Sequence, residues 1–154
     1  MEVASPARLY AAAAGVLLLM LGIVGFFYSA SFGAPGAVEE ALGTFQVNAW
    51  SNLLYVVSGA LGLLAAGVSS RRYALAAGTL FTILAVWGFA IDAGQAVLGF
   101  LPAGGADDTL RLVIGLLGLA AAAGTPRGES RGSFPTSEVG KEPRDSESRA
   151  QAAG

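Results

Sequence analysis

The chain has 154 residues, 54% of them hydrophobic and 13% charged, whereas a soluble domain is about one quarter charged, so the composition leaves the globular range before any pattern is read. A formal net charge of -2 offers no basic stripe for nucleic acid. The absence of cysteine and histidine excludes a disulfide, a thiolate nucleophile, histidine-ligated haem or zinc, and a Ser-His or Cys-His relay.

A hydrocarbon core about 30 Å thick needs roughly 20 apolar residues of helix, and four runs approach that length: 9–28, 49–68, 73–91 and about 109–123. The first opens on Ser5-Pro6, an N-cap followed by proline at the first helical position, where a missing N–H does no harm. Met20 reads as core filler inside it. Ser29-Ala30-Ser31 also has the small residues of a signal-peptide cleavage site, but the apolar run is longer than the usual 7 to 15 residues of such a leader. The second run follows Gly33-Ala34-Pro35-Gly36, the solvated pair Glu39-Glu40, and Gln46 and Asn48, which are expected to bond at the helix entry.

A tight turn through Ser69-Ser70-Arg71-Arg72 leads into the third run. Its Thr79 and Thr82, like Ser58 in the second run, can return their hydroxyls to their own backbone and so imply no polar pathway. Leu101-Pro102-Ala103-Gly104-Gly105 breaks the helix, and Asp107-Asp108 opens the fourth run near the positive end of its dipole. That run is short for a bilayer, a deficit that Arg111 relieves if its guanidinium snorkels to the headgroups. From Thr125 on, five acids, five bases and scattered Ser, Gly and Pro cannot bury enough apolar surface to fold, so 125–154 is expected to be a disordered tail.

Orientation follows from the arginines, because cytoplasmic loops carry an excess of Lys and Arg. Arg8, Arg71-Arg72 and Arg127/Arg131 fall on one side, while the opposite connections hold Glu39, Glu40, Asp107 and Asp108. Both termini are therefore expected in the cytoplasm of a bacterial cell, with Tyr10 and Tyr73 at the inner interface and Tyr28 and Trp50 at the outer one.

The chain also resembles itself. A shift of 63 aligns 8–26 with 71–89 at ten identities in nineteen, including Arg8/Arg71, Tyr10/Tyr73, Gly15/Gly78 and Gly25/Gly88; a shift of 56 aligns 52–67 with 108–123 at eight in sixteen, including Gly59/Gly115 and Gly62/Gly118. Frequent Ala, Leu and Gly supply some of this identity, but the Arg and Tyr matches point to two tandem helical hairpins in one orientation, a parallel repeat about an axis along the membrane normal. Asn52, Tyr55, Gly59, Gly62 and Ala66 fall on one helical face, and Asp108, Arg111, Gly115, Gly118 and Ala122 repeat that spacing. Small residues allow close backbone approach in lipid, so these two faces are expected to meet each other at the centre of the four helices.

Phe45-Gln46-Val47-Asn48, then Ser51-Asn52-Leu53-Leu54-Tyr55 and Gly59-Ala60-Leu61-Gly62-Leu63, resembles the second-helix motif of small actinobacterial membrane proteins catalogued as domain of unknown function 4383. Gly88-Phe89-Ala90-Ile91-Asp92 is similar to the third-helix motif of that family, and Asp107-Asp108-Thr109-Leu110-Arg111-Leu112 with Gly115 to the fourth. The likeness covers about 8–124 and implies a four-helix integral membrane protein. Family members typically have a histidine three residues after the Asn or Asp; this chain has Tyr55 and Arg111 there, so no histidine-dependent role carries over.

A charge at the centre of a membrane helix costs about 2.5 to 3.5 kcal/mol on insertion scales, so each polar group in the runs needs a reason. Two readings of Asn52, Tyr55, Asp92, Asp108 and Arg111 stay open. They form one outer-leaflet cluster, the mouth of a pore or vestibule; or Asp107 and Asp108 cap the fourth helix, Asp92 ends the third in water, and Arg111 pairs locally with Asp108. No GxSxG elbow, Walker loop or metalloprotease helix is present. No catalytic, cofactor or metal residue is assigned.

The sequence thus predicts an all-α membrane protein: a four-transmembrane-helix bundle of two tandem hairpins over 1–124 and a disordered cytoplasmic tail over 125–154. A structural or accessory role is expected, by helix packing in lipid with itself or a membrane partner. A channel or small-solute transporter subunit is the alternative; an enzyme is not expected.

Overall fold

The computed structural model describes residues 4–32, 39–41, 45–91 and 95–127, with backbone only at 39–41 and 45–47. Asp92 and the tail from residue 128 lie outside the described residues. Four helices dominate: α1 (Pro6–Tyr28), α2 (Ala49–Val68), α3 (Ser70–Ala90) and α4 (Gly105–Ala123). Two small antiparallel pairs precede α2 and α4. β1 (Glu39–Ala41) pairs with β2 (Phe45–Val47), and β3 (Ala96–Val97) with β4 (Leu101–Pro102). Leu98 and Gly99 both take positive φ in the turn between β3 and β4, a conformation glycine accepts without steric cost.

Pro6 stands at the start of α1 as expected, but Ser5 makes no side-chain cap; its carbonyl instead accepts the Leu9 N–H. At α2, Asn48 and Ser51 exchange side-chain and backbone bonds in a capping box, which satisfies two of the donors orphaned at a helix start. A single residue, Ser69, separates α2 from α3, and it accepts the Tyr73 N–H after donating its own to Ala65.

The helices α1, α2 and α3 are each long and apolar enough to cross a membrane by length and composition. The 19-residue α4 carries Asp107, Asp108 and Arg111 in its first two turns. Burial in all four is inverted relative to a water-soluble helix. Ala7, Ala11, Ala14, Gly15, Gly22 and Gly25 face inward on α1, while Leu9, Met20 and Phe27 face outward. Met20 is therefore not core filler: it is 61% exposed, on the face opposite the glycines and alanines that meet α2, while Tyr10 and Leu18 are the large side chains that α1 buries.

The backbones touch within two pairs, α1 with α2 and α3 with α4. A Cβ built on Gly59 would lie 2.5 Å from the Leu19 nitrogen and 2.7 Å from the Gly15 oxygen, both on α1; one on Gly115 would lie 2.6 Å from the Thr82 nitrogen and 3.0 Å from the Gly78 oxygen, both on α3. The small faces of α2 and α4 consequently do not meet each other, contrary to expectation. Each docks on its own hairpin partner, because α1 and α3 present matching glycines, Gly15 and Gly78, and close approach requires small residues on both sides.

The pairs are joined by a reciprocal exchange. Tyr10 of α1 donates its hydroxyl to the Ile114 carbonyl of α4 at 3.0 Å, and Tyr73 of α3 donates to the Ser58 carbonyl of α2 at 2.9 Å. The two rings lie 6.2 Å apart, and each is packed on a glycine of the opposite pair, Tyr10 on Gly118 and Tyr73 on Gly62. Tyr10 is buried and Tyr73 half-buried, and each hydroxyl is satisfied by a helix carbonyl without water. Tyr10→Phe and Tyr73→Phe are expected to destabilise the protein equally, by about 0.6 kcal/mol each, as read by detergent-denaturation midpoints of the purified protein.

Candidate functional site

The polar residues singled out from the sequence gather where α2 and α4 begin. Asn48 caps α2 and its amide also donates to the Phe100 carbonyl in the β3–β4 turn, tying the start of α2 to that hairpin. Removing this one side chain unmakes both links. Asn48→Ala is expected to cost about 1 to 2 kcal/mol, with a lowered thermal midpoint as the readout.

One turn into α2, Asn52 is buried and donates its amide to the Ser29 carbonyl at the end of α1, 3.0 Å away. Its side chain occupies the space left open by Gly25. At the position 56 residues later, Asp108 occupies the space over Gly88 in the same way. One Asp108 oxygen accepts the Gly104 N–H at 3.1 Å, across the start of α4, and the other meets Arg111 Nη1 at 2.8 Å. Asp108 thus closes the helix start, although Gly104 holds the N-cap position itself.

Arg111 does not snorkel. It is 0% exposed and is the largest fully buried side chain among the described residues. Besides Asp108, its Nη1 donates to the Pro102 carbonyl of β4 at 3.0 Å, so the hairpin β3–β4 covers the guanidinium. Val97, Leu101 and Ala103 form a small apolar roof there with Leu84. Three buried polar atoms have no hydrogen-bond partner among the described residues: Arg111 Nε, Arg111 Nη2 and Tyr55 Oη. Tyr55 stacks on Phe81 with ring centroids 6.3 Å apart, and its hydroxyl lies within electrostatic reach of Arg111.

Of the five cluster residues, Asn52, Tyr55, Asp108 and Arg111 are buried at this end of the helices, and Asp92 lies outside the described residues. Asp107 is also buried. Among the glycines and alanines, Gly59, Gly62, Gly115 and Gly118 are buried between helices; Ala122 is buried near the end of α4, and Ala66 is only half-buried. The partners that complete the site, the carbonyls of Ser29, Phe100 and Pro102, were not foreseen. No residue type advertises a carbonyl, so only the turns around them hinted that backbone would be left to bond. No group of three or more Asp or Glu that could hold a metal occurs among the described residues.

A family model described as a domain of unknown function (DUF4383) matches residues 8–124. No curated protein and no solved structure matches the chain.

Proposed function

The chain belongs to the DUF4383 family, and from that premise we propose a four-span integral protein of the bacterial plasma membrane, built as two tandem hairpins with both termini cytoplasmic. It serves as a structural or accessory component, packing against itself or another membrane protein, with no catalytic role. The observation that carries this reading is the inverted burial. Leu9, Phe27, Leu64 and Leu116 are more than half exposed while much of the interior between the helices is alanine and glycine, and a soluble protein does not present apolar surface on this scale.

The fourth helix joins the other three because its charges are turned inward. Asp107, Asp108 and Arg111 are 2%, 1% and 0% exposed, so the large side chains that α4 would turn to lipid are Val113, Leu116 and Leu117. The reading of two like-oriented hairpins is supported by contacts that recur at the shifts of 63 and 56: Gly15 on Gly59 and Gly78 on Gly115, Tyr10 to Ile114 and Tyr73 to Ser58. Fractionation is expected to leave the chain in the membrane pellet after carbonate washing and to release it only with detergent. Reporter fusions are expected to place both ends in the cytoplasm. Recovery of a soluble chain, or ends on opposite faces, overturns the proposal.

One observation favours a second reading, a subunit passing water or a small polar solute. Tyr55 Oη, Arg111 Nε and Arg111 Nη2, which meet no hydrogen-bond partner among the described residues, are donors of the kind such a path uses. Flux from proteoliposomes separates the two: selective leakage lost in Tyr55→Phe, which leaves the Asp108–Arg111 pair intact, supports the path, and no leakage supports the accessory role.

A further inference from the structure

The opposite end of the molecule, where α1 and α3 begin and α4 ends, holds a second polar assembly. Thr125 anchors it: its hydroxyl accepts the Ala7 N–H at 3.0 Å and donates to Ala121, and its carbonyl accepts Arg71 Nε at 3.1 Å. Beside it opens a cavity of about 270 Å³, lined by the α2–α3 turn with Arg71 and Arg72 and by the exit of α4 with Arg127. None of the lining residues is acidic, and none of these three arginines meets a carboxylate among the described residues. The first turn of α3, at the same cavity, has no side-chain cap, so its N–H groups add to the positive field.

A second cavity of about 520 Å³ shares Arg71, Thr125, Pro126 and Arg127 with the first. From there it runs between α3 and α4 along Leu75, Leu119, Ala122 and Ala123. The two together have the shape of an amphiphile: a compact basic chamber opening into an apolar groove on the surface that the four-span reading turns to lipid.

We propose that these joined cavities bind one anionic phospholipid, with its phosphate on the guanidinium groups of Arg71, Arg72 and Arg127 and an acyl chain in the groove past Leu75 and Leu119. Guanidinium matches phosphate oxygens in paired, charge-assisted hydrogen bonds, and basic pockets between membrane helices on the cytoplasmic side recognise anionic headgroups. Arg71 is pre-oriented, since its Nε is held by the Thr125 carbonyl and no described residue accepts from its two terminal nitrogens. The groove selects lipid over free phosphate, which has nothing to place on Leu75. The inference rests on the four-span reading.

The test uses the full chain, delipidated and returned to nanodiscs of phosphatidylcholine with or without phosphatidylglycerol, with retained lipid counted by native mass spectrometry. The wild type is expected to retain phosphatidylglycerol over phosphatidylcholine by about tenfold. Arg72→Gln with Arg127→Gln, neither of which makes a hydrogen bond among the described residues, is expected to bring that preference to about twofold or less. Leu75→Trp, which fills the groove from an exposed position, is expected to weaken retention although the arginines are intact, and excess inorganic phosphate is expected not to displace the lipid.

Equal retention of the two lipids overturns the proposal, as does an unchanged preference in the double variant. Displacement by inorganic phosphate with no effect of Leu75→Trp assigns the chamber to free phosphate instead. A preference that emerges only after deletion of 128–154 assigns it to the carboxylates of the tail, and also overturns the proposal. A chain recovered without detergent defeats the four-span reading; a chain that stays in the membrane but treats the two lipids alike defeats only this inference.

Discussion

Arg111→Ala is expected to destabilise the protein by about 3 to 5 kcal/mol, the largest effect of any single substitution outside the glycine contacts. The wild-type pair, Arg111 to Asp108 at 2.8 Å, is removed from solvent on both sides. Deleting the arginine leaves a carboxylate held by one N–H, that of Gly104, and also orphans the Pro102 carbonyl beneath the β3–β4 hairpin. Replacing both members, Asp108→Asn with Arg111→Leu, is expected to lose much less than the sum of the single losses, because no uncompensated charge is then buried. Denaturation midpoints of the purified protein in mixed micelles, collected over the complete double-mutant cycle, measure the coupling. Additive single effects would mean that the two charges are stabilised independently.

The second large effect is expected at the helix crossings. Gly59→Val and Gly115→Val should each cost about 3 kcal/mol, because the added side chain meets backbone, the Leu19 nitrogen in one pair and the Thr82 nitrogen in the other. Backbone cannot rotate out of the way as a side chain can, so relief requires the helices to separate and give up the rest of their contact. The two variants should also behave alike, since they sit 56 residues apart in crossings of the same design. Gly67→Ala is the control. Nothing lies within 4 Å of a Cβ there, and the gain in helix propensity is expected to make it neutral or stabilising by up to about 1 kcal/mol. The same denaturation measurement serves; a neutral Gly115→Val beside a damaging Gly59→Val would break the equivalence of the two crossings.

The helices themselves are legible in the amino-acid sequence. The second run, 49–68, coincides with α2, and the others differ by four residues or fewer at either end. Nineteen of the twenty charged residues lie outside the apolar runs, with Arg111 alone inside one, so helix boundaries and charge boundaries nearly coincide. The pairing of small faces was misjudged for an identifiable reason. In α1 and α3 both faces are apolar, the inner one mixing alanine and glycine with Tyr10, Leu18, Phe81 and Leu84, so hydropathy barely distinguishes the faces and the close crossings at glycine decide which is interior. Gly15 and Gly78 were visible in the repeat, but their role as partners for Gly59 and Gly115 depends on a crossing geometry that no linear pattern contains.

The candidate site divides the same way. Asn52, Tyr55, Asp108 and Arg111 stood out because a polar side chain in an apolar run must be explained. Their partners did not, because those are largely backbone: the carbonyls of Ser29 and Pro102 for the cluster, and those of Ile114 and Ser58 for Tyr10 and Tyr73.

The length of the apolar runs, the placement of charge between them and the spacing of small residues are properties of the linear chain, and they alone determined the number of helices, their approximate ends and the duplicated pattern. Which faces touch, why Arg111 points inward instead of toward headgroups, and that two loops fold into hairpins over the helix ends were decided only by tertiary structure. The reason is physical: close packing and the bonding of carbonyls depend on shape in three dimensions, and every residue supplies the same carbonyl whatever its name.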